Sequence, residues 1–260
     1  MCENNETRKV YTSDVTDAQW QFLEPLIPVP SGEGRPAVIA RREIVNAIFY
    51  MLRAGCPWRL LPHDFPKWQT VYSYFRDWKR DGTWERIHTT LRKQTREKMG
   101  RDPEPSAAII DSQSIKTSAV RGDERGYDGG KKIQGRKRHI LVDTQGFVLA
   151  VKVHAANIAD RDGAKLLLEP LGDRFPRLQL IWADGAYTGQ IRTWVRETLG
   201  FDLKIVQHPW AGIRGVWVKE GMEVDWDKII PKGFHVLPRR WVVERTFSWL
   251  TDVSQARSRL

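Results

Sequence analysis

Cysteine is nearly missing from this chain: Cys2 and Cys56 are the only two in 260 residues. They stand far apart and without metal-ligand spacing. That excludes a disulfide framework or a zinc knuckle and points to a reducing compartment, the cytoplasm. No apolar run approaches the roughly 18 residues that mark a membrane-span candidate. The opening MCENNETRKVYTSD carries no apolar core of a signal peptide. The six histidines are scattered, and neither an HExxH pair nor a nucleophile elbow occurs. A Walker loop is absent too. Gly130-Lys131 lacks a following Ser or Thr, and Arg125 stands where the first glycine of that motif belongs. No small-molecule cofactor and no membrane partner are expected.

What the sequence has in excess is basic charge. The formal net charge is +10 and the sequence pI about 9.7. A basic balance favours a polyanionic partner, because each phosphate neutralised releases condensed counterions. The charge is also localised. Residues 116–139 hold eight Lys/Arg against three acids, a net +5. The segment RGYDGGKKIQGRKRH within it reads as a flexible basic loop for phosphates.

The first hundred residues read as helices. TDAQWQFLEPLIP opens with the capping candidates Thr16 and Asp17 and spaces Trp20, Leu23 and Ile27 helically. RREIVNAIFYMLRAGCPW puts Ile44, Ile48, Met51 and Leu52 on one face and stops at Gly55. PKWQTVYSYFRDWKRDG turns Val71, Tyr74, Phe75 and Trp78 inward, and TWERIHTTLRKQTREK follows. Helices near 41–54 and 67–80 could form a helix-turn-helix, with Lys67, Gln69, Thr70, Ser73, Arg76 and Lys79 facing DNA. Plain helical packing serves the same pattern equally well.

GRDPEPS at 100–106 is a Pro-rich, polar break, and the pattern changes after it. Residues 1–103 are expected as a helical DNA-binding domain and 104–260 as a catalytic one. AAIID, KRHILVD, FVLAVKVH, LQLIWAD and DLKIVQH read as strands. RDGAKLLLEPL, capped by Asp160, GQIRTWVRETLG and the segment from about 239 read as helices. The order β-β-β-α-β-α-β-α predicts an α/β fold, a mixed sheet with helices on its faces. Trp210, Trp217 and Trp226 lie in a looser stretch, either an aromatic cluster or a stacking surface for an unpaired base.

Asp111 and Asp184 each end an apolar strand, where ligands of open α/β sheets sit. Either could instead be a turn-forming Asp. Glu244 falls on a narrow polar edge of the last helix, beside an apolar stripe of Val243, Phe247 and Leu250 extended by Val242 and Trp249. It could equally pair with Arg240, one turn back. Three converging carboxylates resist ionising together unless a cation joins them. Oxygen donors alone suit Mg²⁺ or Mn²⁺ rather than zinc, and two such ions can drive phosphodiester chemistry.

Four blocks, IIDSQSIKT, GYDGGKKIQGRKRHILVDTQG, ADGAYTG and RRWVVERTFSWL, resemble in order the catalytic blocks of the DDE transposases of bacterial insertion sequences, in the insertion-sequence-five group. WRLLPHDFPKWQTVYSYFRDW resembles that group's N-terminal helical region. The resemblance covers nearly the whole chain. It implies a ribonuclease-H-like catalytic domain and Asp111, Asp184 and Glu244 as catalytic, metal-binding acids. It implies that water first attacks the phosphodiester at the element end and that the freed 3′-hydroxyl then attacks target DNA. Lys116, Lys131, Lys132, Arg136, Lys137 and Arg138 match the basic block and are expected on DNA. Arg240 and Arg245, flanking Glu244, would hold phosphate or orient the acid. The partners implied are double-stranded DNA, as terminal inverted repeats and target, and a second copy of the chain.

One departure stands out. TDVSQARSRL replaces the basic, apolar-periodic stretch that follows the Glu helix in related enzymes, and Thr251 stands where a basic residue is common. Past Leu250 the C-terminus is therefore expected to be atypical or truncated. The alternatives to an active transposase are a catalytically defective remnant that only binds DNA, and a metal-dependent nuclease without strand transfer.

Overall fold

The computed structural model describes residues 8–29, 39–117, 124–207 and 240–255. The chain divides into two compact units, one of residues 1–103 with 249–260 and one of residues 104–248. Among the described residues no helix is long and apolar enough to cross a membrane.

The first unit is helical: α1 (Asp17–Leu23), α2 (Arg41–Ala54), α3 (Trp68–Arg80) and α4 (Thr83–Lys98). Local chemistry sets these limits. Thr16 and Gln19 form a reciprocal capping box at the start of α1. Gly55 closes α2 in the left-handed conformation that L-residues disfavour. Ile44, Ile48, Val71, Trp78 and Ile87 form the centre of the core. Leu52 departs from its expected place: it is 51% exposed, and Val45 and Ala47 fill the interior instead. Ile44, Ile48 and Met51 are buried as expected, so the stripe keeps its direction and only its edge shifts. The connection between α2 and α3 runs over 55–67 and contains a short 3₁₀ turn, Trp58–Leu60. Lys67, just before α3, and Gln69, Arg76 and Lys79 on it are exposed, while Thr70 and Ser73 are half-buried. Arg76 and Arg80 are both tied to Asp77.

The second unit is a mixed six-stranded sheet with a ribonuclease-H-like arrangement. Its strands are β1 (Ala107–Lys116), β2 (Gly126–Asp128), β3 (Ile133–Asp143), β4 (Val148–Ala155), β5 (Leu180–Ala183) and β6 (Asp202–Ile205). The order is β2-β3-β1-β5-β6, and β4 also pairs with β3. β1 runs antiparallel to β3, from Ala108↔Asp143 to Lys116↔Gly135, and parallel to β5. Among the described residues the helices beside this sheet are α5 (Asp160–Leu168), α6 (Ile191–Leu199) and α7 (Arg240–Gln255), the last belonging to this unit as far as residue 248.

Strand alternation divides the core. Ala108, Ile110 and Leu141 point to one side, where Leu167 and Leu168 of α5 and Ile191 and Val195 of α6 meet them. Ile109, Ile140, Val142 and Trp182 point to the other, against Val242, Val243 and Phe247 of α7. Thr246 is buried there as well, while Trp249 and Leu250, expected inward, are exposed. The helix runs on through 251–255, past the end of its apolar pattern.

Two further readings need correction. Residues 126–138 are not a flexible loop: they form β2, a turn and most of the polar half of β3. Gly126 and Gly135 face each other across that pair. A Cβ on Gly135 would collide with the carbonyl of Ile115, so the glycine serves close strand approach rather than flexibility. Asp160 does not cap α5 either. Ala159 holds the cap position without a side-chain bond, and Asp160 is the first helical residue, engaged elsewhere.

Candidate active site

β1 and β5 are parallel neighbours, so the ends of both strands open to the same side of the sheet. Asp111 sits in mid-β1 on the face covered by α7, and Asp184 follows β5 directly. Arg240 and Glu244 lie one turn apart on α7. These four side chains meet. Arg240 Nη2 is 3.5 Å from Asp111 Oδ2, 3.7 Å from Asp184 Oδ2 and 3.7 Å from Glu244 Oε1. Residues far apart in sequence thus place three carboxylate oxygens around one guanidinium nitrogen.

The bland alternatives for each acid are also present. Asp184 Oδ1 accepts the N–H of Ala186 at 2.9 Å and so caps the 3₁₀ turn Gly185–Tyr187. Its other oxygen is the one facing Arg240. Glu244 pairs with Arg240 at the i,i+4 spacing, yet is 54% exposed and shares that partner with two acids from the sheet. Asp111 Oδ1 accepts the N–H of Ser112 at 2.7 Å.

Asp111 is the buried member, at 9% exposure. Burial raises its carboxyl to about 6, and the Ser112 N–H and the Arg240 guanidinium do not offset it. The charge of Asp184 adds to the rise, and Lys131 opposes it. A desolvated carboxylate beside two others calls for more positive charge than one guanidinium supplies. The donor set is all oxygen, the preference of a hard divalent cation. As placed, no three His, Cys, Asp or Glu side chains among the described residues close to metal-ligand distances. The guanidinium of Arg240 stands at their centre instead. Asp111, Asp184 and Glu244 therefore fit a divalent ion by chemistry and by convergence, with Arg240 displaced from the middle.

The basic residues divide by strand face. Arg136 and Arg138 share the face of Asp111. Arg138 donates to Gln113 Oε1 at 3.0 Å and lies over the ring of Phe247 at 5.3 Å. Lys131 and Lys132 are exposed in the turn between β2 and β3, and Lys131 Nζ reaches the carbonyl of Ser112 at 3.4 Å. Lys116 is exposed at the end of β1. Lys137 departs from expectation. It is 5% exposed, on the opposite face, and lies 3.0 Å from Asp160. A surface contact with DNA is closed to it. Arg245 turns away from the acids: its Nη2 donates to the carbonyl of Gln145 at 2.7 Å, and its guanidinium stacks over Trp241. It docks α7 on the β3–β4 turn. The tryptophans at 210, 217 and 226 lie outside the described residues.

Four participants escaped the sequence reading: Ser112, Asp128, Asp160 and Tyr187. Period-two alternation through RKRHILVD was the available signal, since it sets Lys137 beside His139 and Leu141 on an inward face. Tyr187, in the ADGAYTG block, is fully buried. Burial first, then the charges of Asp111, Asp160 and Asp184, push its hydroxyl well above the ordinary tyrosine range, so it stays protonated.

Comparison with known proteins gives three matches. Residues 102–260 match the family model described as "Transposase DDE domain". Residues 15–88 match the one described as "Putative transposase of IS4/5 family". Over 108 residues the chain is 32% identical to the "Insertion element IS402 uncharacterized 16.2 kDa protein" of Burkholderia cepacia, covering 39% of this chain and 72% of that protein.

Proposed function

Because this chain belongs to the DDE transposase family, in the insertion-element group of the matches above, we propose that it cuts and joins DNA at element ends by Mg²⁺-dependent phosphoryl transfer. The observation that carries this reading is the meeting of Asp111, Asp184 and Glu244 within 3.7 Å of one nitrogen. Those three acids would hold the divalent ions. When bound, a pair of such ions activates the attacking oxygen and stabilises the leaving one.

The protein's own groups do the positioning. The chain orients phosphates and neutralises charge. In the free protein Arg240 offsets the repulsion among the carboxylates. On loading, its planar guanidinium is free to turn to a phosphate oxygen, which it can hold through two N–H groups. Lys131 and Lys132, beside the site, and Arg136 and Arg138, on the same sheet face, bind the backbone of the cut strand. Lys116 extends this basic surface.

Residues 1–103 serve as the end-binding domain, through Lys67, Gln69, Arg76 and Lys79 of the α3 region, and residues 104–260 as the catalytic domain. Two inverted-repeat ends must be held together for strand transfer, which calls for a homodimer acting in the cytoplasm.

The test incubates the full chain with duplex DNA carrying the element ends, with Mg²⁺, with Mn²⁺ and with a chelator. The reading expects ends cut and joined to a target duplex with either ion, and no product with the chelator. End binding without cleavage in Mg²⁺ and Mn²⁺ would overturn it in favour of a DNA-binding remnant. Cleavage without joining would reduce it to a nuclease.

A further inference from the structure

Behind the carboxylates, on the opposite face of the sheet, a closed ring of polar contacts surrounds one buried ammonium. Lys137 Nζ lies 3.0 Å from Asp160 Oδ1 and 3.5 Å from Asp128 Oδ2, and donates to the carbonyl of Ile158 at 2.9 Å. Asp160 Oδ1 also accepts from Ser112 Oγ at 2.8 Å, and the N–H of that serine bonds Asp111. Asp128 accepts from Ser114 Oγ at 2.5 Å and from the N–H groups of Gly130 and Lys131 at 3.1 Å each. Lys131 closes the ring by reaching the Ser112 carbonyl.

Burying an ammonium is costly, and a buried ion pair is a poor source of net stability compared with apolar packing. Its content lies in register. Both carboxylates stay ionised although burial acts to raise them. The bonds from Lys137 and Ser112 hold Asp160 below the ordinary carboxylate range, and those from Ser114 and Lys131 do so for Asp128. His139, next along the same face, is pushed by burial to about 3 and is neutral, so it does not substitute for the lysine.

We propose that Lys137 is a positioning residue for the phosphoryl-transfer site. Through Asp160 and Ser112 it fixes the strand that presents Asp111, and through Asp128 it fixes the turn that presents Lys131. Acid and phosphate-binding cation thereby keep one spacing. The role in catalysis rests on the function proposed above; the mechanical link does not.

The experiment uses the full chain and three variants: Lys137→Met, Lys137→Arg, and the triple Lys137→Met/Asp128→Asn/Asp160→Asn, which leaves no carboxylate orphaned. Hydrogen exchange is followed over 110–113, 128–132 and, for reference, α6. Melting temperature and single-turnover cleavage at saturating DNA are measured in parallel. Lys137→Met is expected to speed exchange in 110–113 and 128–132 together while sparing α6, and to slow cleavage at least tenfold. Lys137→Arg should restore most of the protection. The triple variant should recover the melting temperature but not the rate. Exchange unchanged in either segment, or a triple variant with both properties restored, would overturn the proposal. If Lys137→Met does not fold, the other two variants carry the same contrast. If the unaltered chain cuts no DNA, the function above fails, and the exchange data still decide the link.

Discussion

Arg240 and Asp111, 129 positions apart, stand 3.5 Å apart between helix α7 and mid-strand β1. A guanidinium here takes up the repulsion that a divalent ion would otherwise have to neutralise. On the function proposed above, Arg240 and the ion are therefore alternatives at the same carboxylates. Replacing Arg240 with Gln should tighten Mn²⁺ binding to the DNA-free protein about tenfold, or roughly 1.4 kcal/mol, while lowering DNA cleavage. Titration calorimetry checks the first effect; unchanged or weaker Mn²⁺ affinity would count against this view of the site.

Asp111→Asn and Asp184→Asn should each reduce end cleavage by three orders of magnitude or more while leaving duplex affinity within about twofold. On the proposed function the carboxylates serve the ion and not the phosphate clamp, and an amide supplies a poorer ligand. Gel-shift titration beside a cleavage assay makes the comparison. A variant that cuts at the normal rate removes that acid from the catalytic set.

The contribution of Asp111 to stability should fall with rising pH in the metal-free protein, against the opposite trend from the neutral, buried His139. Burial lifts the Asp111 carboxyl to about 6, whereas an unfolded aspartate titrates near 3.8. Between those values the folded chain binds more protons than the unfolded one, so each step up in pH favours unfolding. The loss begins above the lower value, is complete once pH passes the higher one, and amounts to about 3 kcal/mol. Asp111→Asn should abolish it. The difference in urea unfolding between the two proteins, in chelator from pH 4 to pH 8, reports this contribution, since the opposing His139 is common to both. A stability difference that does not change with pH would refute it.

Gly163→Ala should destabilise the second unit by about 1–3 kcal/mol, against the usual helix preference for alanine. Gly163 of α5 lies against the rings of His139 and His154, and a Cβ there would stand less than 3.0 Å from both. Those rings are bonded at 2.8 Å, and His154 Nδ1 is 2.8 Å from the Ala155 carbonyl, so neither can swing aside without losing a buried bond. Thermal unfolding measures the effect, and a stabilised variant would show that the pair yields.

Lys131→Ala with Lys132→Ala should weaken DNA binding across all sequences and reduce the salt slope by about 1–2 in log K against log salt. A loss confined to element-end sequences, with the slope intact, would point instead to base reading by these lysines.

Much of this architecture could be read before any coordinates. Thr16 and Gly55 punctuate the helices because caps and left-handed glycines act locally. Asp111 and Asp184 were legible because each acid interrupts an apolar run. What failed was pairing information. β1 continues past Asp111 through polar SQSIK because RKRH of β3 supplies its ladder, a partner more than twenty residues away. Gly126 and Gly135 read as a loop, since nothing local distinguishes a flexible glycine from one that lets two strands touch. Leu52 and Trp249 came out exposed because periodicity defines a stripe, and neighbours decide where its edge lies. Lys137 looked like its basic neighbours; only the sheet face separates it from Arg136 and Arg138.

The parallel pairing of β1 with β5 bears on when the three acids can first come together. Parallel neighbours need a crossover, and here three further strands, β2, β3 and β4, and helix α5 intervene before the chain returns. Contacts of such high contact order form late and slowly. No short contiguous fragment contains all three acids, and a half-folded chain cannot assemble them. On the function proposed above, topology thus withholds cutting until folding is finished.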